Sequence, residues 1–319
     1  MIREIGGYME LENYTGAEYH EGLHRFNLGR TALVWLLEKL ECRRVHVPYY
    51  NCDSVANSVT AAGIDVSFYH LDEGLRPAFA DGFSLGEDEW LYVINYYGQL
   101  SEDDIRKYEK QYGRIIVDNA QAYFMKPVGG IHTLYSCRKF LGVCDGAYLS
   151  TDIPMDDDMP RDISMNRIGY LFGRLEEGAR VHYQEMLSES EKFADAKAMK
   201  MSLLTENILR GIDYENIRQR RLENYRILQK VLPSDNPFTK KEPVGPFAYP
   251  FYHEDGIRLR KALAEESIFV PTNWSYLLNT MDRNSLEYQW SANILPLPVD
   301  QRYGEEEMLH VAEIIKRFK

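Results

Sequence analysis

IIVDNAQAYFMKPVGGIHTLYSCRKFLGVCDGAYL, residues 115–149, is the stretch whose reading decides the fold and the chemistry of this chain. The β-branched run Ile115-Ile116-Val117 has the composition of a strand covered on both faces. It ends in Asp118, Gln121 follows three residues on, and Lys139 stands 21 positions after the aspartate (139 − 118). A carboxylate at the end of a buried strand keeps a heterocyclic nitrogen protonated, so that the ring accepts electrons from a substrate carbanion. An amine forms a Schiff base with an aldehyde and then carries the proton. Pyridoxal phosphate (PLP) chemistry needs both groups, and Asp118 and Lys139 are the candidates.

Working outward, strand and helix patterns alternate. Thr31 to Leu37 has helical composition; Arg44 to Val47 reads as a strand ended by Pro48; Asp53 caps a helix running to Ala62; Val66 to Tyr69 is the next strand. Leu91 to Asn95 is a further strand and Glu102 to Tyr112 a charged helix before Ile115. The alternation predicts an α/β fold with a largely parallel sheet covered on both faces, whose ligand lies at the carboxyl ends of the strands, where Asp118 falls. Beyond Ser150 the pattern changes: 152–165 reads as an exposed loop, 168–190 and 202–232 as long charged helices, and 246–319 as an α+β unit with a helix from Asp255 to Glu266, the strand-like Ile294 to Pro298 and a closing helix from near Glu305. The expected organisation is an arm over 1–26, a large domain over 27–195, a linking helix and linker over 196–245, and a small C-terminal domain over 246–319.

A chain of 319 residues has room for two packed cores. Its formal charge of −12 argues against a nucleic-acid or membrane surface. Cys42, Cys52, Cys137 and Cys144 form no C-x-x-C pair, and MIREIGGYMEL lacks the apolar core of a signal peptide. A reduced, cytoplasmic protein is expected, without a metal site, and the sequons at Asn13 and Asn273 carry no weight.

Taken singly, each candidate has an ordinary explanation. Asp118 is placed to cap the next helix, Lys139 beside Arg138 to be a solvated basic pair, and Gly29-Arg30-Thr31 to be a turn before a helix. That same turn, through its N–H groups, is equally suited to hold a phosphate at a positive helix end. Tyr49 and Tyr50 have the position of packing aromatics, and Cys137 and Cys144 that of small buried residues. Their joint order in the chain is what the ordinary explanations leave unaccounted for.

That order resembles the DegT/DnrJ/EryC1/StrS family of sugar aminotransferases, of the aspartate aminotransferase fold (fold type I), over roughly residues 26–319. FNLGRTAL, residues 26–33, is similar to the family's phosphate-binding turn; VPYYNC, residues 47–52, to the strand and loop that place a group over the cofactor ring; and VINYYG, residues 93–98, to its next strand. VDNAQA, residues 117–122, resembles the D-x-A-Q-A motif, and residues 136–146 the Ser, Lys and D-G-G segment. Lys200-Met201-Ser202 matches R-M-[ST], and Ile294 to Val299 with Tyr303-Gly304-Glu305-Glu306 the closing strand and acidic helix. The resemblance implies a mostly parallel seven-stranded sheet flanked by helices, and pyridoxal 5'-phosphate as cofactor. It implies that Gly29, Arg30, Thr31, Tyr50, Gln121, Ser136 and Arg138 bind the cofactor with Asp118 and Lys139. Glutamate is the implied donor, a nucleotide-linked ketosugar the implied acceptor and a homodimer the implied assembly, with the arm and 152–195 as exchanged elements.

The chain departs from the family at three places. Cys52 stands where an aromatic residue is usual, so that Tyr49 or Tyr50 is expected to take over the stacking. The interval from Ser136 to Lys139 is short, and Ala198 replaces an Asn that reaches the partner's phosphate, a contact expected to fall to Arg138. A PLP enzyme of another reaction type, such as a lyase or a sulfur-handling enzyme using Cys137 or Cys144, and a non-catalytic binding protein are the alternative readings.

Overall fold

The computed structural model describes residues 5–194 and 196–318; residues 1–4 of the expected arm, Asp195 and Lys319 lie outside them. Among the described residues, ten strands form two sheets. The first contains β1 (His24–Phe26), β2 (Arg44–Pro48), β3 (Asp65–Leu71), β4 (Pro77–Ala78), β5 (Glu89–Ile94), β6 (Ile115–Asp118), β7 (His132–Ser136) and β8 (Ala147–Ser150), in the order β1-β8-β7-β6-β5-β2-β3-β4. The second pairs β9 (Tyr249–Tyr252) with β10 (Ile294–Leu297) in antiparallel register.

The large sheet has eight strands, one more than the seven the motifs implied, and is parallel through its centre, β3-β2-β5-β6-β7. The edges run the other way: β8 is antiparallel to β7, β4 to β3, and β1 to β8. Two reversals give β1 the direction of β7, so the chain leaving β1 emerges at the same end as the chains leaving β2, β5, β6 and β7. This one edge receives the segments 26–33, 47–52, 93–98, 117–122 and 136–139 that the sequence singled out.

The helices are α1 (Gly29–Lys39), α2 (Asp53–Ala61), α3 (Glu102–Tyr112), α4 (Gly169–Glu176), α5 (Tyr183–Glu191), α6 (Leu203–Arg210), α7 (Tyr214–Val231), α8 (Gly256–Glu265), α9 (Leu277–Thr280), α10 (Leu286–Asn293) and α11 (Glu305–Arg317). A capping box between Ser101 and Asp104 starts α3, and Gly113 in a positive-φ conformation ends it. The two long helices expected over 168–190 and 202–232 are each broken in two. Gly178, at φ 95°, separates α4 from α5, and at Gly211 to Asp213 the chain stops α6 and caps α7 anew, the Asp213 side chain accepting the Asn216 N–H.

Val45, Val47, Leu91, Ile116 and Val117 lie in the main core with the buried face of α1; a second core joins α7, α8 and α11 to the small sheet. No described helix is long and apolar enough to cross a membrane. The arm is anchored on the body: Asn207 accepts the Tyr14 N–H at 2.9 Å and donates to the Glu12 carbonyl at 2.7 Å, and the buried Glu18 carboxylate meets Arg25 and the Tyr148 hydroxyl.

His20 is buried in the same anchor, its Nε2 donating to the Tyr123 carbonyl at 2.7 Å and its ring 4.0 Å from that of Tyr135. Burial pushes its pKa down to about 3, against the opposing pull of the Tyr123 carbonyl. The folded chain therefore keeps His20 neutral while the unfolded chain binds a proton below about 6.5, so stability falls as pH falls through the window between those values. Between pH 6.5 and 5 the expected loss is about 2 kcal/mol. Urea unfolding at both pH values should show that slope in the native chain and not in His20→Phe; equal slopes would exclude the assignment.

Candidate active site

A cavity of about 310 Å³ opens at the shared strand edge, lined by the starts of α1 and α2, the ends of β5, β6 and β7, and the loop that carries Trp274. Asp118 and Lys139 both line it, together with Gly29, Arg30, Gln121, Ser136 and Arg138. Strand register brings β6 and β7 side by side, Asp118 opposite Leu134, and the turn over Cys137–Lys139 follows at the end of β7.

Asp118 is 9% exposed, and each of its carboxylate oxygens already has one donor. Oδ2 accepts the Tyr92 hydroxyl and Oδ1 the Ala120 N–H, both at 2.6 Å. Burial and the neighbouring Asp118 charge raise the Tyr92 pKa well above the ordinary phenol value, so Tyr92 acts as a fixed neutral donor. Gln121 accepts the Tyr97 N–H on Oε1 at 3.0 Å. An N–H donor selects the oxygen end of the amide, so Gln121 has its NH₂ group to offer the cavity.

At the other side, α1 starts at Gly29 with an uncapped N-terminus, an anion-favouring end of a helix. Arg30 is lowered in pKa, chiefly by burial, with a contribution from the Arg138 charge. Arg138 lies 4.8 Å over the Phe193 ring. Among the described residues, neither arginine nor Lys139 is in an ion pair. Two guanidinium groups and a helix start facing one cavity are matched by a phosphate.

Of the expected site residues, Tyr50 lies elsewhere, and the Thr31 side chain is turned away from the cavity. Thr31 is buried, its hydroxyl donating to Asn27 Oδ1 at 2.6 Å and to the Leu28 carbonyl at 2.9 Å, and it does not line the cavity. Tyr50 is wholly buried among Tyr96, Phe238, Trp274 and Trp290, so neither it nor Tyr49, which stacks on Phe68, covers a ring in the cavity. The Tyr50 correction has one cause: its ring finds its aromatic neighbours in the core before it can turn to a polar cavity, while Thr31 keeps the backbone N–H of the helix start, through which the turn is expected to hold a phosphate.

Sequence reasoning missed Tyr92, Asn51 and Trp274. Tyr92 was recoverable, since period-two alternation in β5 puts it on the side of Ile94, also in the lining. Asn51 is buried and lines the cavity; its Oδ1 accepts the Cys52 N–H, while Nδ2 has no described hydrogen-bond partner. Trp274 carries no local signal.

The lysine turn is held by its own scaffold. Gly146, at φ 116°, lies against Cys137, where a Cβ would come within 3.2 Å of its Sγ. The adjoining Asp145, fully buried, accepts the Ser202 N–H at 2.9 Å and its hydroxyl at 2.8 Å, with Thr205 as a third donor. The D-G and M-S segments seen apart in sequence thus cap one helix together. Cys137 is wholly buried and its thiol is pushed up by burial, which removes the basis for a sulfur nucleophile there. Arg221, also buried, donates to the carbonyls of Phe140, Pro246 and Phe247 and to Gln301 Oε1.

PLP fits this donor set. The α1 start, Arg30, Ser136 and Arg138 suit its phosphate, Asp118 its ring nitrogen, Gln121 its ring hydroxyl, Lys139 its aldehyde, and the orphaned Asn51 amide is a donor still without an acceptor.

No protein-family model matches the chain, and no curated protein matches its sequence. Solved structures do. A sugar aminotransferase of Micromonospora echinospora superposes with a TM-score of 0.62 at 16% identity, over 92% of this chain and 86% of that one. A sugar aminotransferase of Streptococcus pneumoniae in its PLP form gives 0.59 at 16%, over 92% and 86%, and a DegT/DnrJ/EryC1/StrS aminotransferase of Brucella abortus 0.58 at 16%, over 93% and 85%. Across nearly its whole length, the chain has the fold of the sugar aminotransferases.

Proposed function

We propose that the chain is a PLP-dependent aminotransferase that moves an amino group from an amino acid, glutamate in the first instance, to a ketosugar carried on a nucleotide. One observation carries the reading: a buried carboxylate and a lysine that forms no ion pair among the described residues line one cavity whose remaining polar lining suits a phosphate.

When bound, the cofactor supplies an electron-withdrawing ring that takes up the negative charge developing at the substrate carbon. Asp118 favours a protonated ring nitrogen, and Tyr92 and Ala120 hold its carboxylate in place. Lys139 would take the proton from the substrate carbon as a general base and return it, as an acid, across the intervening nitrogen to the carbon the cofactor's aldehyde supplies. A ketone acceptor reverses these transfers.

A wider cleft of about 780 Å³ shares Arg138 and Lys139 with the first cavity and runs on past Arg174, Phe172, Phe247 and Phe269. Its size and mixed cationic and aromatic lining support an acceptor larger than a simple keto acid. A two-fold dimer is part of the proposal: Ile163, Met165, Phe172, Leu175 and Val181 are exposed on and around α4, apolar side chains of the kind a partner subunit would cover.

The test is the first half-reaction. Chain reconstituted with PLP and given L-glutamate should convert the bound cofactor from its visible-absorbing form to the amine form, with 2-oxoglutarate released in equal amount. Absence of a visible band in the reconstituted chain, or conversion without release of the keto acid, would overturn the reading.

A further inference from the structure

We infer that Trp274 is the platform on which the cofactor ring rests; this builds on the cofactor reading above and names the side chain that covers the ring. Three aromatic residues line the cavity: Tyr92, Tyr135 and Trp274. Tyr92 is committed to Asp118 through its hydroxyl, and Tyr135 is wholly buried against His20. Cys52, at the end of the loop after β2, contributes a thiol bonded to Ser54 and no flat face. Trp274 alone of the three is partly exposed and comes from outside the large sheet.

Its placement is overdetermined. The backbone of Trp274 is left-handed, φ 54°, a conformation a bulky residue holds only when its surroundings impose it. The preceding Asn273 donates to the Tyr97 hydroxyl at 2.8 Å and accepts from Ser291 on its carbonyl at 3.0 Å. Two residues on, the Tyr276 hydroxyl is bonded to the carbonyls of Tyr49 and Asn51 at 3.2 and 3.1 Å. The tryptophan loop and the Asn51-Cys52 loop are thereby joined into one wall. Perpendicular packing on Tyr50, at 4.2 Å and 84°, and on Tyr96, at 5.8 Å and 74°, fixes the indole plane without a parallel ring stacked on it. A planar heterocycle gains most from a flat, broad neighbour of this kind, and indole is the broadest available.

The experiment titrates PLP into the full chain freed of cofactor, reading intrinsic fluorescence and the visible circular dichroism of the bound ring. In the native chain, binding should quench the fluorescence. Trp274→Phe should bind within about threefold of the native affinity with the larger part of the quench lost, and Trp274→Ala should bind about tenfold to a hundredfold more weakly with its dichroism diminished. Native-like affinity and dichroism in Trp274→Ala, or an undiminished quench in Trp274→Phe, would overturn the inference while leaving the cofactor reading intact. If Trp274→Ala fails to fold, the quench in Trp274→Phe decides alone. If the native chain binds no PLP, the cofactor reading itself falls.

Discussion

Lys139→Ala is expected to slow the glutamate half-reaction by about 10⁴-fold, at the upper end of what a positioned proton carrier contributes, because in the proposed function the same side chain also makes the covalent link. Lys139 lines the cavity with no carboxylate to neutralise it among the described residues, and its turn is locked from behind by Gly146 and the buried Asp145 cap. Among the described residues no other lysine lines either cavity, so no nearby amine is placed to substitute. Borohydride reduction followed by peptide mass mapping should find the cofactor on Lys139 in the native chain and on no lysine in the variant. Retention of the adduct at another position, or a rate within tenfold of native, would remove Lys139 from its role.

Asp118→Asn should cost about 10²–10³-fold in the same half-reaction, the range for losing one preorganised electrostatic partner. The substitution keeps volume and removes charge. It also leaves one oxygen where two are used, so either the Tyr92 hydroxyl or the Ala120 N–H loses its acceptor. Single-turnover rates with glutamate, alongside thermal unfolding of the cofactor-free chain, separate the two effects. A rate loss accompanied by equal loss of PLP affinity and of fold stability would mean that Asp118 is architectural.

The parts of the fold that were legible in sequence are those fixed by neighbours in the chain. Helix α3 was readable to the residue because its capping box and terminal glycine are local, and β6 because a β-branched run ending in aspartate has few other uses. The breaks inside 168–190 and 202–232 were hidden by continuous charge, although Gly178 and Gly211 stand at them. In the site, Asp118, Gln121, Ser136 and Lys139 were readable as cavity-lining residues because a parallel sheet delivers the ends of β6 and β7 to one edge. Trp274 comes 156 residues after Asp118 (274 − 118), on a loop whose position depends on bonds to Tyr97, Tyr49 and Asn51, and no periodicity records such bonds. Tyr50 was misread because a tyrosine after a strand looks the same whether it turns to solvent or into the core.

Arg221 has a mechanical consequence. One guanidinium ties the carbonyl of Phe140, next to Lys139, to Pro246 and Phe247 ahead of the small sheet, and Gln301 closes the loop by donating to that same Phe140 carbonyl at 2.9 Å. Burial lowers the Arg221 pKa to about 10, still above neutrality, so the knot stays charged and its donors stay in place. Any movement of the small sheet relative to the large one would therefore tug on the backbone next to Lys139, giving the two sheets a direct lever on that amine.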